Sequence, residues 1–148
     1  MAETLPLDTL IELAREKVDA STKRLGALNI ARANATRQYD MLQTYRQDYL
    51  ERLQQALDTG MPAANCQNYR HFISTLDDAI VQQKSVLQQA EDQLADGRLH
   101  WQQDQQRLSA YDALRQRELR KRQVVQARRE QIANDEFAAR ATRHFADI

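Results

Sequence analysis

Asp58-Thr59-Gly60-Met61-Pro62 is the stretch on which the fold turns. Gly60 can take the positive φ that closes a helix, and Pro62 cannot continue one. Outside it, the 148 residues hold only Pro6, Gly26 and Gly97 as further breakers, out of 3 Gly and 2 Pro in all. Such punctuation leaves material for one tight connection and two long elements. Working outward, a first helix is expected over about 8–57, with Asp8 as its N-cap and Pro6 just upstream. A turn over about 58–65 follows. A second helix is expected over about 66–143, capped by Asn65 or Asn68.

Both flanks carry heptads. Toward the N-terminus the apolar seam reads Ile11, Ala14, Val18, Ser21, Leu25, Leu28, Arg32, Ala35, Tyr39, Leu42, Arg46, Tyr49, Leu53 and Ala56, an unbroken 3-4 spacing. Beyond the turn Tyr69, Ile73, Leu76, Ile80, Gln83, Leu87, Ala90, Leu94, Gly97, Trp101, Asp104, Leu108 and Tyr111 do the same. A 3.5-residue period sustained this long is a coiled-coil signal. A short turn folds the helices back on each other, so facing residue numbers should add to about 122–123. That register sets Trp101 against Ser21 and Thr22, Arg32 against Glu91 and Arg46 against Asp77. The expected fold class is all-α: a long antiparallel two-helix coiled-coil hairpin, one domain over 1–148, its second helix longer than its first.

Composition agrees. Ala, Leu, Gln, Arg and Glu, all good helix formers, dominate, and aromatics are 6%. A mean hydropathy of −0.76 suits a thin seam between helices better than a thick core. Lys+Arg and Asp+Glu are both 21, so no global basic footprint for nucleic acid exists. No apolar run approaches the roughly 18–20 residues that span a bilayer. Met1-Ala2-Glu3-Thr4-Leu5-Pro6 lacks the basic start and apolar stretch of a signal peptide, and the single Cys66 has no disulfide partner within the chain. A cytoplasmic location is the simplest expectation.

At 1.5 Å per residue the first helix is roughly 75 Å long and the second roughly 115 Å. The second is therefore expected to overhang from about Arg115. There Arg115, Arg117, Arg120, Lys121, Arg122, Arg128 and Arg129 crowd together, with Glu118 and Glu130 as the acids, and Phe137, Ala138, Ala141 and Phe145 follow. Three readings stand: a nucleic-acid contact through phosphates, a contact with an acidic protein surface, or a solvated helix.

Little suggests chemistry. Cys66 sits by the turn, and His71, His100 and His144 are scattered. His100 has Asp96 and Asp104 at helical spacing, too few converging ligands for a metal site. No Gly-rich loop cradles phosphate. No enzyme activity, cofactor or metal is expected.

Near the turn the apolar groups outnumber what a two-helix seam can bury. Gln38, Leu42, Tyr45 and Tyr49 repeat at spacings of 4, 3 and 4, and Phe72, Leu76, Ala79 and Gln83 repeat on the second helix. Tyr45, Phe72 and Ala79 stand one position to the side of the seam. Tyr45 and Phe72 should lie at similar height, either widening the core or forming an exposed patch of the kind that marks partner sites.

Taken together the residues resemble the flagellar export protein family FliJ. The carriers are Leu10-Ile11-Glu12-Leu13-Ala14 with Val18 and Leu25-Gly26, then Tyr45 and Tyr49. After the turn come Asn68-Tyr69-Arg70-His71-Phe72-Ile73 with Leu76 and Ala79-Ile80, then Trp101, Arg107-Leu108 and the tail Asp135-Glu136-Phe137-Ala138-Ala139-Arg140-Ala141. The resemblance spans nearly the whole chain and rests on the ordered set, since no single motif is specific. It implies a soluble, stalk-like component of the flagellar type III export apparatus. Its implied partners are the export ATPase hexamer, the cytoplasmic domain of the membrane export gate and the export chaperones. Nucleic acid is not among them, and membrane association is peripheral, at the inner membrane through those partners. Carried over by position, gate binding falls on Gln38, Leu42, Tyr45, Tyr49, Phe72, Leu76, Ala79 and Gln83, the last standing where the family often has His. The ring-facing end falls on Leu10, Leu13, Arg120, Lys121, Arg122 and Phe137. A basic nucleic-acid-binding coiled coil and a purely structural spacer are the alternatives.

Overall fold

The computed structural model describes residues 6–146; Met1–Leu5 and Asp147–Ile148 lie outside the described residues. Two α-helices make up the architecture: α1, Pro6–Thr59 (54 residues), and α2, Ala63–Ala146 (84 residues). The fold is an all-α helical hairpin. Gly60 takes φ +83° between the helices, as its place in the sequence requires, and its N–H reaches the Leu57 carbonyl at 3.4 Å.

The helix starts differ from the expected caps. Proline lacks an N–H, and a helix leaves its first N–H groups without intrahelical partners, so Pro6 opens α1 at no cost in hydrogen bonds. Asp8 then lies inside the first turn, where its carboxylate favours the positive end of the helix dipole. Neither Asn65 nor Asn68 caps α2. Pro62 holds that position, its carbonyl accepting from the Asn65 N–H at 3.1 Å and the Cys66 N–H at 3.2 Å.

The chain divides into two compact units, Val18–Gln103 and Met1–Lys17 with Asp104–Ile148. In the first, α1 and α2 run antiparallel on either side of the turn. The buried residues are Val18, Ala35, Ile73, Leu76, Ala90, Leu94 and Gly97, and every one is a seam position of the heptads. Three cross-helix contacts fix the register. Arg32 Nε lies 3.8 Å from Glu91 Oε1, Arg46 Nε donates to Asp77 Oδ1, and Trp101 Nε1 donates to Thr22 Oγ1 at 3.1 Å. These are the pairs that a turn centred on Met61 demands. A fourth contact runs from a seam residue: Gln83 Nε2 donates to the Ala35 carbonyl at 3.2 Å. Gly97 leaves room for the Leu28 side chain, since a Cβ there would sit 2.5 Å from Leu28 Cδ1. Threonines within the helices satisfy themselves locally: the Thr22, Thr36, Thr44 and Thr75 hydroxyls donate to carbonyls four residues back.

In the second unit the start of α1 packs on α2 through Ile11 and Ala14, both buried. Asp8 Oδ1 lies 3.5 Å from Arg115 Nε. Leu7 adjoins Leu114, Arg117, Glu118 and Lys121 in a shallow hollow. From Ala113 to Arg140 every residue of α2 is exposed. The start of α1 reaches this stretch as far as Arg122, and the basic continuation expected from the difference in helix lengths stands alone beyond it.

Candidate protein-binding site

Seam geometry sorts the tip residues by depth. Leu76 is buried, and Leu42, Tyr49, Ala79 and Gln83 are half-buried. Gln38 is exposed, Tyr45 is 48% exposed and Phe72 is 42% exposed. Two large rings thus stay in water in spite of a seam beside them. The reason is angular: at 3.5 residues per turn a pair of helices covers two positions in seven, and Tyr45 and Phe72 stand one step outside those positions.

The rings are not joined as their spacing suggests. Phe72 stacks on Tyr49, with centroids 4.4 Å apart and planes tilted by 41°. Tyr69 approaches the same Tyr49 ring at 6.1 Å and 55°. Arg52 places its guanidinium carbon 5.4 Å from the Tyr49 centroid, within cation–π range. Tyr49 is therefore the hub of the cluster. No ring contact links Tyr45 to Phe72 among the described residues; Tyr45 instead borders a shallow groove along α1 with Arg37, Met41 and Thr44. Gln83 spends its amide on the Ala35 carbonyl inside the pair. Sequence reasoning missed Arg52 and placed Tyr69 only in the seam. One further step of the spacing finds the first: Arg52 follows Tyr45 by seven residues, as Tyr45 follows Gln38.

At the end expected to meet the ATPase ring, the named residues are exposed, but they do not form one patch. Leu10 is 42% and Leu13 50% exposed, and Arg120, Lys121 and Arg122 lie in water. Phe137, 76% exposed, stands fifteen residues beyond Arg122 on one continuous helix, roughly 22 Å further along it. It belongs to no common patch with them. Arg115 has Asp8; the six cations Arg117, Arg120, Lys121, Arg122, Arg128 and Arg129 have no ion-pair partner among the described residues.

Convergent chemical groups are lacking by comparison. His100 Nδ1 lies 3.0 Å from the Asp96 carbonyl and 3.5 Å from its carboxylate, both half or more exposed. Among the described residues no three His, Cys, Asp or Glu side chains gather to hold a metal ion, and no helix is long and apolar enough to cross a membrane. Cys66 is a half-buried free thiol beside the turn.

The class these features define is an all-α coiled-coil hairpin whose large apolar and basic groups are presented outward on helix faces. The sequence pattern of the family described as Flagellar FliJ protein matches residues 3–145. A protein of that same description from Escherichia coli (strain K12) is 32% identical over 141 residues, covering 95% of this chain and 96% of the relative. Its counterpart from Salmonella typhi matches at the same identity and coverage. The chain belongs to the FliJ family, and with it to the components of the flagellar export apparatus.

Proposed function

We propose that the chain is the stalk-like coiled coil of that apparatus, engaging the export ATPase ring with one part and the cytoplasmic domain of the export gate with another, and escorting substrate chaperones. The observation that carries this reading is the exposed aromatic cluster at the tip, Phe72 on Tyr49 with Tyr45 nearby on α1. Burying large rings that already stand half out of water is the usual source of binding energy at a protein interface. Gate binding uses Gln38, Leu42, Tyr45, Tyr49, Phe72, Leu76 and Ala79. Leu76 and Leu42 act from beneath, by holding the rings up. Gln83 contributes through Ala35, by fixing the register. The ring end uses Leu10, Leu13, Arg120, Lys121, Arg122 and Phe137. The protein works in the cytoplasm and reaches the inner membrane through its partners.

The test is calorimetric titration of the gate's purified cytoplasmic domain with the full chain. Replacing Tyr45 and Phe72 together by Ala should cost about 2 kcal/mol or more, roughly thirtyfold in affinity. Helicity should not change, because neither ring is buried. Undiminished affinity in the double variant refutes gate binding at this patch. For the other end, neutralising Arg120, Lys121 and Arg122 should weaken capture of the ATPase. Salt-sensitive retention on DNA that the same change abolishes would support the nucleic-acid reading instead.

A further inference from the structure

The tip cluster contains a cation that the aromatic reading leaves unused. Arg52 is exposed and has acidic neighbours in sequence, Asp48 four residues before it and Glu51 beside it. It pairs with neither. Glu51 accepts from Gln47, and no ion pair involves Asp48 or Arg52 among the described residues. The guanidinium lies over the Tyr49 ring instead, on the ring that Phe72 and Tyr69 also touch. A guanidinium held by a ring face keeps the N–H donors of its rim available. Those donors form a planar fork that suits a carboxylate, and a partly desolvated setting strengthens the pairing.

We propose that Arg52 and Tyr69 belong to the docking surface, and that this surface is shaped for a protein segment presenting a carboxylate beside a large apolar side chain. The apolar group packs on Phe72 and Tyr69 around the Tyr49 hub. The carboxylate meets Arg52, which pairs with no acid among the described residues. Charge complementarity thus selects the occupant: an acidic, apolar segment, with neutral or basic segments of the same hydrophobicity rejected by the unpaired cation. The proposal rests on the gate reading and adds to it the polarity of the segment recognised.

Salt and substitution separate the contributions. The full chain is titrated into the gate's cytoplasmic domain at about 50 mM and about 500 mM salt, since exposed charge pairs are screened at the higher value. Arg52→Gln should weaken binding about fivefold at low salt and by less than about twofold at high salt. Arg52→Lys keeps the charge and should recover about half of that loss on a logarithmic scale. Tyr69→Leu keeps an apolar seam position but removes the ring, and should weaken binding about fivefold at both salts. A structural role for Arg52, steadying Tyr49, predicts the same loss at both salts and no rescue by Lys; that pattern, or wild-type affinity in Arg52→Gln, overturns the proposal. The Tyr45→Ala, Phe72→Ala double variant runs in parallel. If it weakens binding while Arg52→Gln and Tyr69→Leu do not, the gate reading stands and this extension falls. If the double variant binds as wild type, the gate reading itself falls.

Discussion

Two helical glycines, one exposed and one buried in the seam, carry different predictions. Gly26 is an exposed position inside α1, and a Cβ built there meets nothing within 4 Å. Gly26→Ala should therefore raise the unfolding free energy by about 1 kcal/mol, the ordinary helix-propensity gain. Gly97→Ala has the same propensity term, but its Cβ would fall 2.5 Å from Leu28 Cδ1. Leu28 is half-buried and can swing its Cδ1 aside, which offsets part of that gain. The urea midpoint of Gly97→Ala should therefore fall below that of Gly26→Ala; equal shifts in the two variants would show that the approach at Gly97 is not tight. At this scale the sequence was only partly informative. Gly97 stood out as a seam position with no side chain, but which residue needed the space depended on the rotamer of Leu28 across the interface. Tyr49 as the hub, in place of a Tyr45–Phe72 pair, likewise depended on ring orientation, which periodicity does not specify.

Pairing of α1 with α2 is a matter of register, and here the polar seam residues matter more than their energies. Arg32–Glu91 and Arg46–Asp77 have side chains exposed by 37–48%, so each contributes on the order of 0–1 kcal/mol. Shifting one helix by a turn would pair apolar seam residues almost as well, yet it would leave both arginines facing neutral groups. Arg46→Asp should lower stability by about 1 kcal/mol through repulsion from Asp77, and the exchanged pair Arg46→Asp with Asp77→Arg should recover most of it. Chemical denaturation of the two single variants and the double variant checks this; no recovery would mean that the pair has no part in the register. Helix positions, the turn and these cross-helix pairs were legible because they follow from period and from one breaker sequence. The cap assignments were not. Asp8, Asn65 and Asn68 are all good caps in isolation, but Pro6 and Pro62 start the helices first.

For the molecule as a whole, the uneven lengths of α1 and α2 have a functional consequence. Every residue from Ala113 to Arg140 is exposed, so most of this part of α2 contributes no core. Removing residues 124–148 should leave the unfolding free energy within about 0.5 kcal/mol of wild type while helical signal falls in proportion to the residues lost. The truncated chain keeps Leu10, Leu13, Arg120, Lys121 and Arg122 and loses Phe137, so it should bind the gate's cytoplasmic domain as before and lose part of its affinity for the ATPase. Loss of both activities would contradict the assignment of the two functions to different parts of the chain. Seven basic side chains on this stretch, Arg117 to Arg140, have no ion-pair partner among the described residues; they favour an acidic contact, and the interaction should weaken steeply with salt.

The order of residues was enough to establish two helices, one turn, the facing pairs and the unpaired basic end, because heptad period, helix breakers and chain length act locally or along one axis. Membership of the FliJ family was legible for the same reason: its carriers are the seam and flank positions in sequence. Packing settled what lies around the axis. It placed Phe72 on Tyr49, set Arg52 over that ring and committed Gln83 to the Ala35 carbonyl. Those outcomes depend on competition among rotamers and partners across two helices, and no spacing along one chain resolves that competition.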